Sequence, residues 1–97
     1  MYLEIVSPEA TLFTSEVDSV AVPGVNGEFQ VLNNHAPIVS TLKSGFVKIY
    51  THTQSHLVLD DLHGKIIPSK DDNKILHLEI QSGTLEMKDN KVIVLAD

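Results

Sequence analysis

Apolar residues recur at every second position in short runs along this chain, which is the period of β-strands. Val47 and Ile49 alternate with Lys48 and Tyr50, and the run 75–80 alternates in the same way. Successive side chains on a strand point to opposite faces, so each run offers one face to a core and one to solvent. Because the i, i+3, i+4 spacing of amphipathic helices is missing, the sequence predicts an all-β protein.

Two runs depart from simple alternation. The run 92–95 (VIVL) is apolar throughout, which predicts a central strand with both faces covered. In the run 11–22 the apolar positions change from odd to even numbers between Val17 and Val20. A bulge near Asp18 would produce this change, so we expect one long strand that serves two sheets.

Turn-forming residues separate the predicted strands. Asn26-Gly27 tolerates the positive φ of a tight hairpin, and Asp89-Asn90 has the same character. The dipeptides at 44–45 and 82–83 (both Ser-Gly) separate other strand pairs. About nine strands at this close spacing predict a two-sheet sandwich or flattened barrel.

Size and charge exclude several classes of protein. A chain of 97 residues forms one domain with a single core, and 42% hydrophobic residues are too many for intrinsic disorder. Seven lysines without arginine stand against thirteen acidic residues, giving a net charge of −6. Nucleic acid is therefore not an expected partner. The absence of cysteine excludes disulfides and thiolate sites, and fits a reducing compartment.

The sequence also argues against membrane insertion. No apolar run approaches the ~20 residues that a spanning helix needs. Glu4, Glu9 and Glu16 occupy the region where a signal peptide would be basic and then apolar. We expect the mature protein to start at Met1 in the cytoplasm or an equivalent space.

No pattern of catalytic or metal-binding residues is specific enough to predict an enzyme. His52 and His56 have the i, i+4 spacing of a helical metal pair, but their neighbours indicate a strand end, where that spacing separates ligands by ~13 Å. The Asp-Asp pairs at 60–61 and 71–72 are typical of solvated loops. Neither a Gly-x-Ser-x-Gly elbow nor a phosphate-binding loop is present. We expect no catalytic residues, cofactor or metal.

A stiff corner follows the run GEFQVL, in the sequence Asn33-Asn34-His35-Ala36-Pro37. Proline fixes its own φ and holds the preceding residue extended, while the asparagines suit a turn. His35 is either a polar loop residue bonded to nearby backbone or part of a surface that a partner contacts.

A second candidate surface lies on the strand around residue 48. Phe46 and Tyr50 alternate with Val47 and Ile49, so both aromatic rings face away from the core. They form a candidate patch for a partner, unless another sheet covers them.

Several segments together resemble the epsilon subunit of the F-type ATP synthase, called delta in mitochondria. The resemblance covers residues 1–50 and 75–97, while the segment 51–74 is longer than this region usually is in the family. It rests on the order and spacing of five motifs, which are LEIVSPE at 3–9, LFTSEVDSV at 12–20, PGxxGEF at 23–29, NHAP at 34–37 and NKVIVLAD at 90–97.

The resemblance implies a ten-stranded β-sandwich over residues 1–97 and a non-catalytic role in the rotor's central stalk. Such a subunit binds the gamma subunit and the c-ring and couples proton-driven rotation to ATP synthesis, as a peripheral protein on the cytoplasmic face of the inner or plasma membrane. By this likeness Glu28 lies on the c-ring side and His35 lies on the gamma side. The patch of Phe46 and Tyr50, which strand alternation indicates, is a candidate for a second contact with gamma. Family members generally continue into a helical hairpin, which we expect to be absent here.

A different class of function remains an alternative. A free-standing β-sandwich could bind a small ligand in a pocket lined by His35 and the segment 51–74.

Overall fold

The computed structural model describes residues 1–51, 66–68 and 75–97. Within these ranges the protein is all-β, as predicted, with ten strands and no helix. The strands are β1 (Tyr2–Val6), β2 (Thr11–Glu16), β3 (Ser19–Gly24), β4 (Gly27–Leu32), β5 (Ile38–Leu42), β6 (Gly45–Tyr50), β7 (Ile66–Pro68), β8 (Ile75–Ile80), β9 (Gly83–Lys88) and β10 (Lys91–Ala96).

The strands form a nearly closed, barrel-like sheet that divides into two layers. The order is β2-β1-β10-β9-β5-β3-β6-β8-β7, with β4 paired to β3. Strand β3 contacts β6 over Ser19–Ala21 but contacts β5 only at Gly24, opposite Leu42. We call β2, β1, β10, β9 and β5 the first sheet, and β4, β3, β6, β8 and β7 the second sheet.

One hydrophobic core fills the space between the two sheets. The alternating runs supply it, because Leu76, Leu78 and Ile80 on β8 are buried, as are Val47 and Ile49 on β6. Burying each such side chain is worth ~1.5–3 kcal/mol. The predicted division of each run into a buried and an outer face is therefore confirmed for these strands.

The run 92–95 forms a central strand, as predicted, but only one of its two faces is covered. Strand β10 is central in the first sheet, between β1 and β9. However, Leu95 is 52% exposed and Ile93 is half-buried, so the outer face is not covered. The core lies on one side of this sheet, and an all-apolar strand here presents its second face outward.

The run 11–22 does serve two sheets, but not as one bulged strand. It ends as β2 at Glu16 and resumes as β3 at Ser19. The change in apolar parity marks the point where the chain leaves the first sheet and enters the second. The predicted bulge near Asp18 is instead a break between two strands.

The predicted turns all join strands. Asn26-Gly27 closes the β3–β4 hairpin, with Gly27 at φ 127°. Asp89 and Asn90 close the β9–β10 hairpin with φ values of 53° and 61°. Within the segment 51–74, Ile66–Pro68 forms β7 and pairs with β8. The residues of the proposed histidine and aspartate pairs, at 52, 56, 60–61 and 71–72, lie outside the described residues.

Candidate partner-binding surfaces

The two ends of the molecule differ in their turn residues. Strand β4 runs from the Asn26-Gly27 turn to the His35 corner. At the first end lie four glycines, Gly24, Gly27, Gly45 and Gly83, and we call it the glycine end. At the other end lie the β4–β5 connection and the β9–β10 turn, with Asn33, Asn34, Asp89 and Asn90, and we call it the asparagine end.

Glu28 lies at the glycine end, as the second residue of β4 and opposite Pro23 of β3. Its side chain is 52% exposed, and its Oε1 lies 3.1 Å from Nζ of Lys48 on β6. Ion pairs this close to solvent contribute little to stability. The Glu28 carboxylate is therefore held over the second sheet while it stays accessible to a partner.

His35 lies at the asparagine end, in an exposed turn. Its backbone N–H donates to Leu32 O at 3.1 Å, and its Nδ1 lies 2.7 Å from Ala36 O. Because a carbonyl oxygen only accepts, Nδ1 carries the proton in this arrangement. The ring is thus fixed by its own loop, and Nε2 is left for a partner or for water.

A cross-sheet contact that the sequence did not predict supports the corner. The Asn34 N–H donates to Oδ1 of Asn90 at 2.7 Å, and Nδ2 of Asn90 donates to Oδ1 of Asn33 at 2.9 Å. Asn90 therefore ties the end of β4 to the β9–β10 turn. The sequence marks Asn90 only as a turn residue, because nothing local connects it to a loop 56 residues away.

Phe46 and Tyr50 lie on the outer face of the second sheet, opposite the buried Val47 and Ile49. Phe46 is 49% exposed, whereas Tyr50 is half-buried. No other described strand lies over this face. Lys48 lies between the two rings and pairs with Glu28. Phe46 lies toward the glycine end, whereas Tyr50 lies toward the asparagine end, because Ser19 of β3 pairs with both Tyr50 and Leu32.

Phe46 also lines a groove of about 520 Å³ on the same face. Its ring centroid is 6.1 Å from that of His77 on β8, with the planes tilted by 54°. The groove was not predicted, because its walls come from β6, β7 and β8 together with Gln81 and Asp97, which follow β8 and β10. It is lined by Phe46, Ile67, His77, Glu79, Gln81 and Asp97.

The outer face of the first sheet is also partly apolar. Val39 is 78% exposed and Leu95 is 52% exposed. Leu95, Val6 and Thr84 belong to the lining of a cavity of about 550 Å³ at the glycine end. In the sequence, this surface is indicated by the apolar residues at the odd positions of the run 92–95, which are Ile93 and Leu95. His35 lines neither this cavity nor the groove beside Phe46.

The described residues bring no group of three or more His, Asp or Glu side chains together in a way that could hold a metal ion. The same part of the chain contains no helix long and apolar enough to cross a membrane. What the geometry offers is two partly apolar outer faces and two differently built ends.

Comparison with known proteins gives a consistent result. Residues 1–61 match the family model described as the β-sandwich domain of the ATP synthase delta/epsilon chain. The chain is 34% identical over 95 residues to the ATP synthase epsilon chain of Leptospira borgpetersenii, with 98% of this chain and 59% of the relative covered. Identity to that of Campylobacter curvus is 33% over 97 residues, covering 100% of this chain and 60% of the relative.

The epsilon chain of Chlorobaculum tepidum is 35% identical over 95 residues, which cover 98% of this chain and 86% of that relative. The chain thus spans about three fifths of the length of the first two relatives and most of the third. Among solved structures, a chain of the Tetrahymena thermophila mitochondrial ATP synthase central stalk and c-ring has the same fold. Its TM-score is 0.67 at 10% identity, and the match covers 98% of this chain and 61% of that one.

Proposed function

The chain belongs to the ATP synthase delta/epsilon chain family, and from that premise we propose that it is a non-catalytic subunit of the central stalk of an F-type ATP synthase. In this role it binds the gamma subunit and the c-ring and couples proton-driven rotation to ATP synthesis. It is a peripheral protein on the cytoplasmic face of the inner or plasma membrane.

One observation carries the proposal. The identity of 33–35% to epsilon chains extends over 95 to 97 residues, which is nearly the whole chain. It therefore includes the strands of both sheets and the turns at both ends. A protein built around a single core is rigid, because protein interiors are packed as densely as organic crystals. Such a body can transmit torque between two partners.

The surfaces fit contacts with two different partners. Glu28 at the glycine end is proposed to lie beside the polar loops of the c-ring. The corner of His35 and the outer-face residues Phe46 and Tyr50 are proposed to contact gamma. Exposed aromatic residues are enriched in the buried centres of protein interfaces, which supports a contact at Phe46.

Size-exclusion chromatography with the gamma subunit from the same organism tests the proposal. The mixture should elute as one stable complex, and the Glu86→Gln variant on the outer face of the first sheet should behave like the wild type. Separate elution of the two proteins at micromolar concentrations would contradict a stalk role and favour a free-standing β-sandwich module.

The orientation has its own test in the assembled enzyme. A cysteine introduced as Glu28→Cys should form a disulfide with a cysteine placed in a c-ring loop, whereas one introduced as Asn90→Cys at the opposite end should not. Crosslinking from position 90 alone would show that the glycine end faces away from the membrane.

A further inference from the structure

The groove beside Phe46 combines an apolar floor with an acidic rim. Phe46 is 49% exposed and Ile67 is 62% exposed, although they lie on β6 and β7 with β8 between them. Glu79 is the direct neighbour of Phe46 across the β6–β8 pair, and His77 is the direct neighbour of Ile67 across the β7–β8 pair. A carboxylate therefore stands beside an aromatic face that is open to solvent.

The charges on this face are not balanced within the groove. Among the described lysines, Lys48 on β6 is the nearest in the register, being paired with His77, but its ammonium group lies 3.1 Å from Glu28 on the other side of β6. No ion pair of Glu79 occurs among the described residues. Within the described residues, the groove thus offers the unpaired carboxylate of Glu79, an aromatic ring and an aliphatic wall, and no lysine lines it. Asp97 adds a second carboxylate to the lining, which accepts a hydrogen bond from Ser82 Oγ.

These three features together match one kind of side chain. A lysine or arginine has an aliphatic stem that packs on apolar surface and a cationic head that stays near water. The head is attracted by the face of an aromatic ring and by a carboxylate. A purely apolar side chain would leave Glu79 partly desolvated without a partner, which is costly.

We propose that this groove receives a lysine or arginine side chain of the gamma subunit, with its stem against Ile67 and its cationic head between Phe46 and Glu79. The inference rests on the proposed function. It adds to that function the chemistry of the contact, and it names Glu79 as a residue that selects for a positively charged partner segment.

Isothermal titration calorimetry with the purified gamma subunit, at 50 and 500 mM NaCl, tests the inference. Glu79→Gln should weaken gamma binding about fivefold at low salt, and the difference from wild type should shrink at high salt because exposed charges are screened. Phe46→Leu keeps an apolar side chain but removes the aromatic face, so it should also weaken binding several-fold. Glu86→Gln, on the outer face of the first sheet, is the matched control and should bind like the wild type.

The outcomes separate the two proposals. A wild-type chain that does not bind gamma overturns the proposed function and this inference with it. Normal wild-type binding that is unchanged in both Glu79→Gln and Phe46→Leu overturns only the inference. If Glu79→Gln and Glu86→Gln weaken gamma binding equally, the effect comes from the general loss of negative charge, and the inference is overturned too. Weaker binding in Phe46→Leu with no change in Glu79→Gln would mean that the occupant is apolar, which also overturns the inference. Unchanged urea unfolding of each variant shows that the fold is intact.

Discussion

The glycine end and the asparagine end both contain tight turns that need a backbone with positive φ, and they provide it with different residues. Both contain residues with positive φ, at Gly27 and at Asn34, Asp89 and Asn90. Glycine adopts such conformations at no steric cost and lets backbones approach closely. Asparagine adopts them less readily but brings a side chain that can bond to a neighbouring loop.

The two ends therefore derive their rigidity from different contacts. At the glycine end the strands pack backbone against backbone, as at Gly83, where an added Cβ would lie 2.3 Å from Leu95 O. At the asparagine end the side chain of Asn90 bridges the two sheets. The first end should therefore be sensitive to added atoms, and the second to the removal of side-chain atoms.

The largest effect is expected from Gly83→Ala. Because the new methyl group would collide with the backbone of β10, the strands must move apart, and we expect a loss of ~3 kcal/mol in the free energy of unfolding. Urea denaturation followed by far-ultraviolet circular dichroism measures it. Gly27→Ala is the control, since its Cβ would meet no atom within 4 Å and only the strain of its φ remains. Equal losses in both variants would show that close approach is not what Gly83 provides.

Removing the bridge at the other end should have the next largest effect. Asn90→Gly keeps the positive φ but loses both side-chain hydrogen bonds. A hydrogen bond contributes about 0.5–1.5 kcal/mol to the free energy of unfolding, so we expect a loss of ~2 kcal/mol. Asp89→Gly controls for added backbone freedom at a neighbouring residue with positive φ. If the two variants unfold at the same urea concentration, the bridge contributes nothing measurable.

His35→Ala separates a partner contact from a local one at the asparagine end. For an interface residue, gamma affinity should fall by roughly 1–2 kcal/mol while the isolated domain keeps its stability. The bond from Nδ1 to Ala36 O allows the opposite pattern, with ~1 kcal/mol of stability lost. Calorimetry with gamma and urea denaturation of the same variant provide both values, and unaltered affinity would refute the interface role.

The smallest effect is expected from the ion pair at the glycine end. Lys48→Gln should lower the free energy of unfolding by about 0.5 kcal/mol or less, because Lys48 is 35% exposed and Glu28 is 52% exposed, and water screens a pair of this kind. Lys43→Gln removes another exposed lysine at the same end and serves for comparison. A loss above 1 kcal/mol specific to Lys48 would show that side chains stabilise this end as well.

The candidate sites were predictable to different degrees. The outward direction of Phe46 and Tyr50 followed from strand alternation, and Glu28 and His35 were chosen by family resemblance together with the turn pattern. The bond between Asn90 and the His35 corner was not predictable, nor was the groove around Glu79. Both depend on residues that are distant in the chain and meet only when strands pair.

The β class, the turns and the inward face of each strand could be predicted from the sequence, because alternation and turn chemistry depend only on neighbouring residues. The tertiary structure decided which strands pair, and so which outer faces stay open. The parallel pairing of β1 with β10 brings the first and the last strand together. No described strand packs over the outer face of β10, so Leu95 is 52% exposed, although the run 92–95 predicted a strand covered on both faces. Burial on the second face of a strand depends on what packs over it, and no pattern within the strand encodes that.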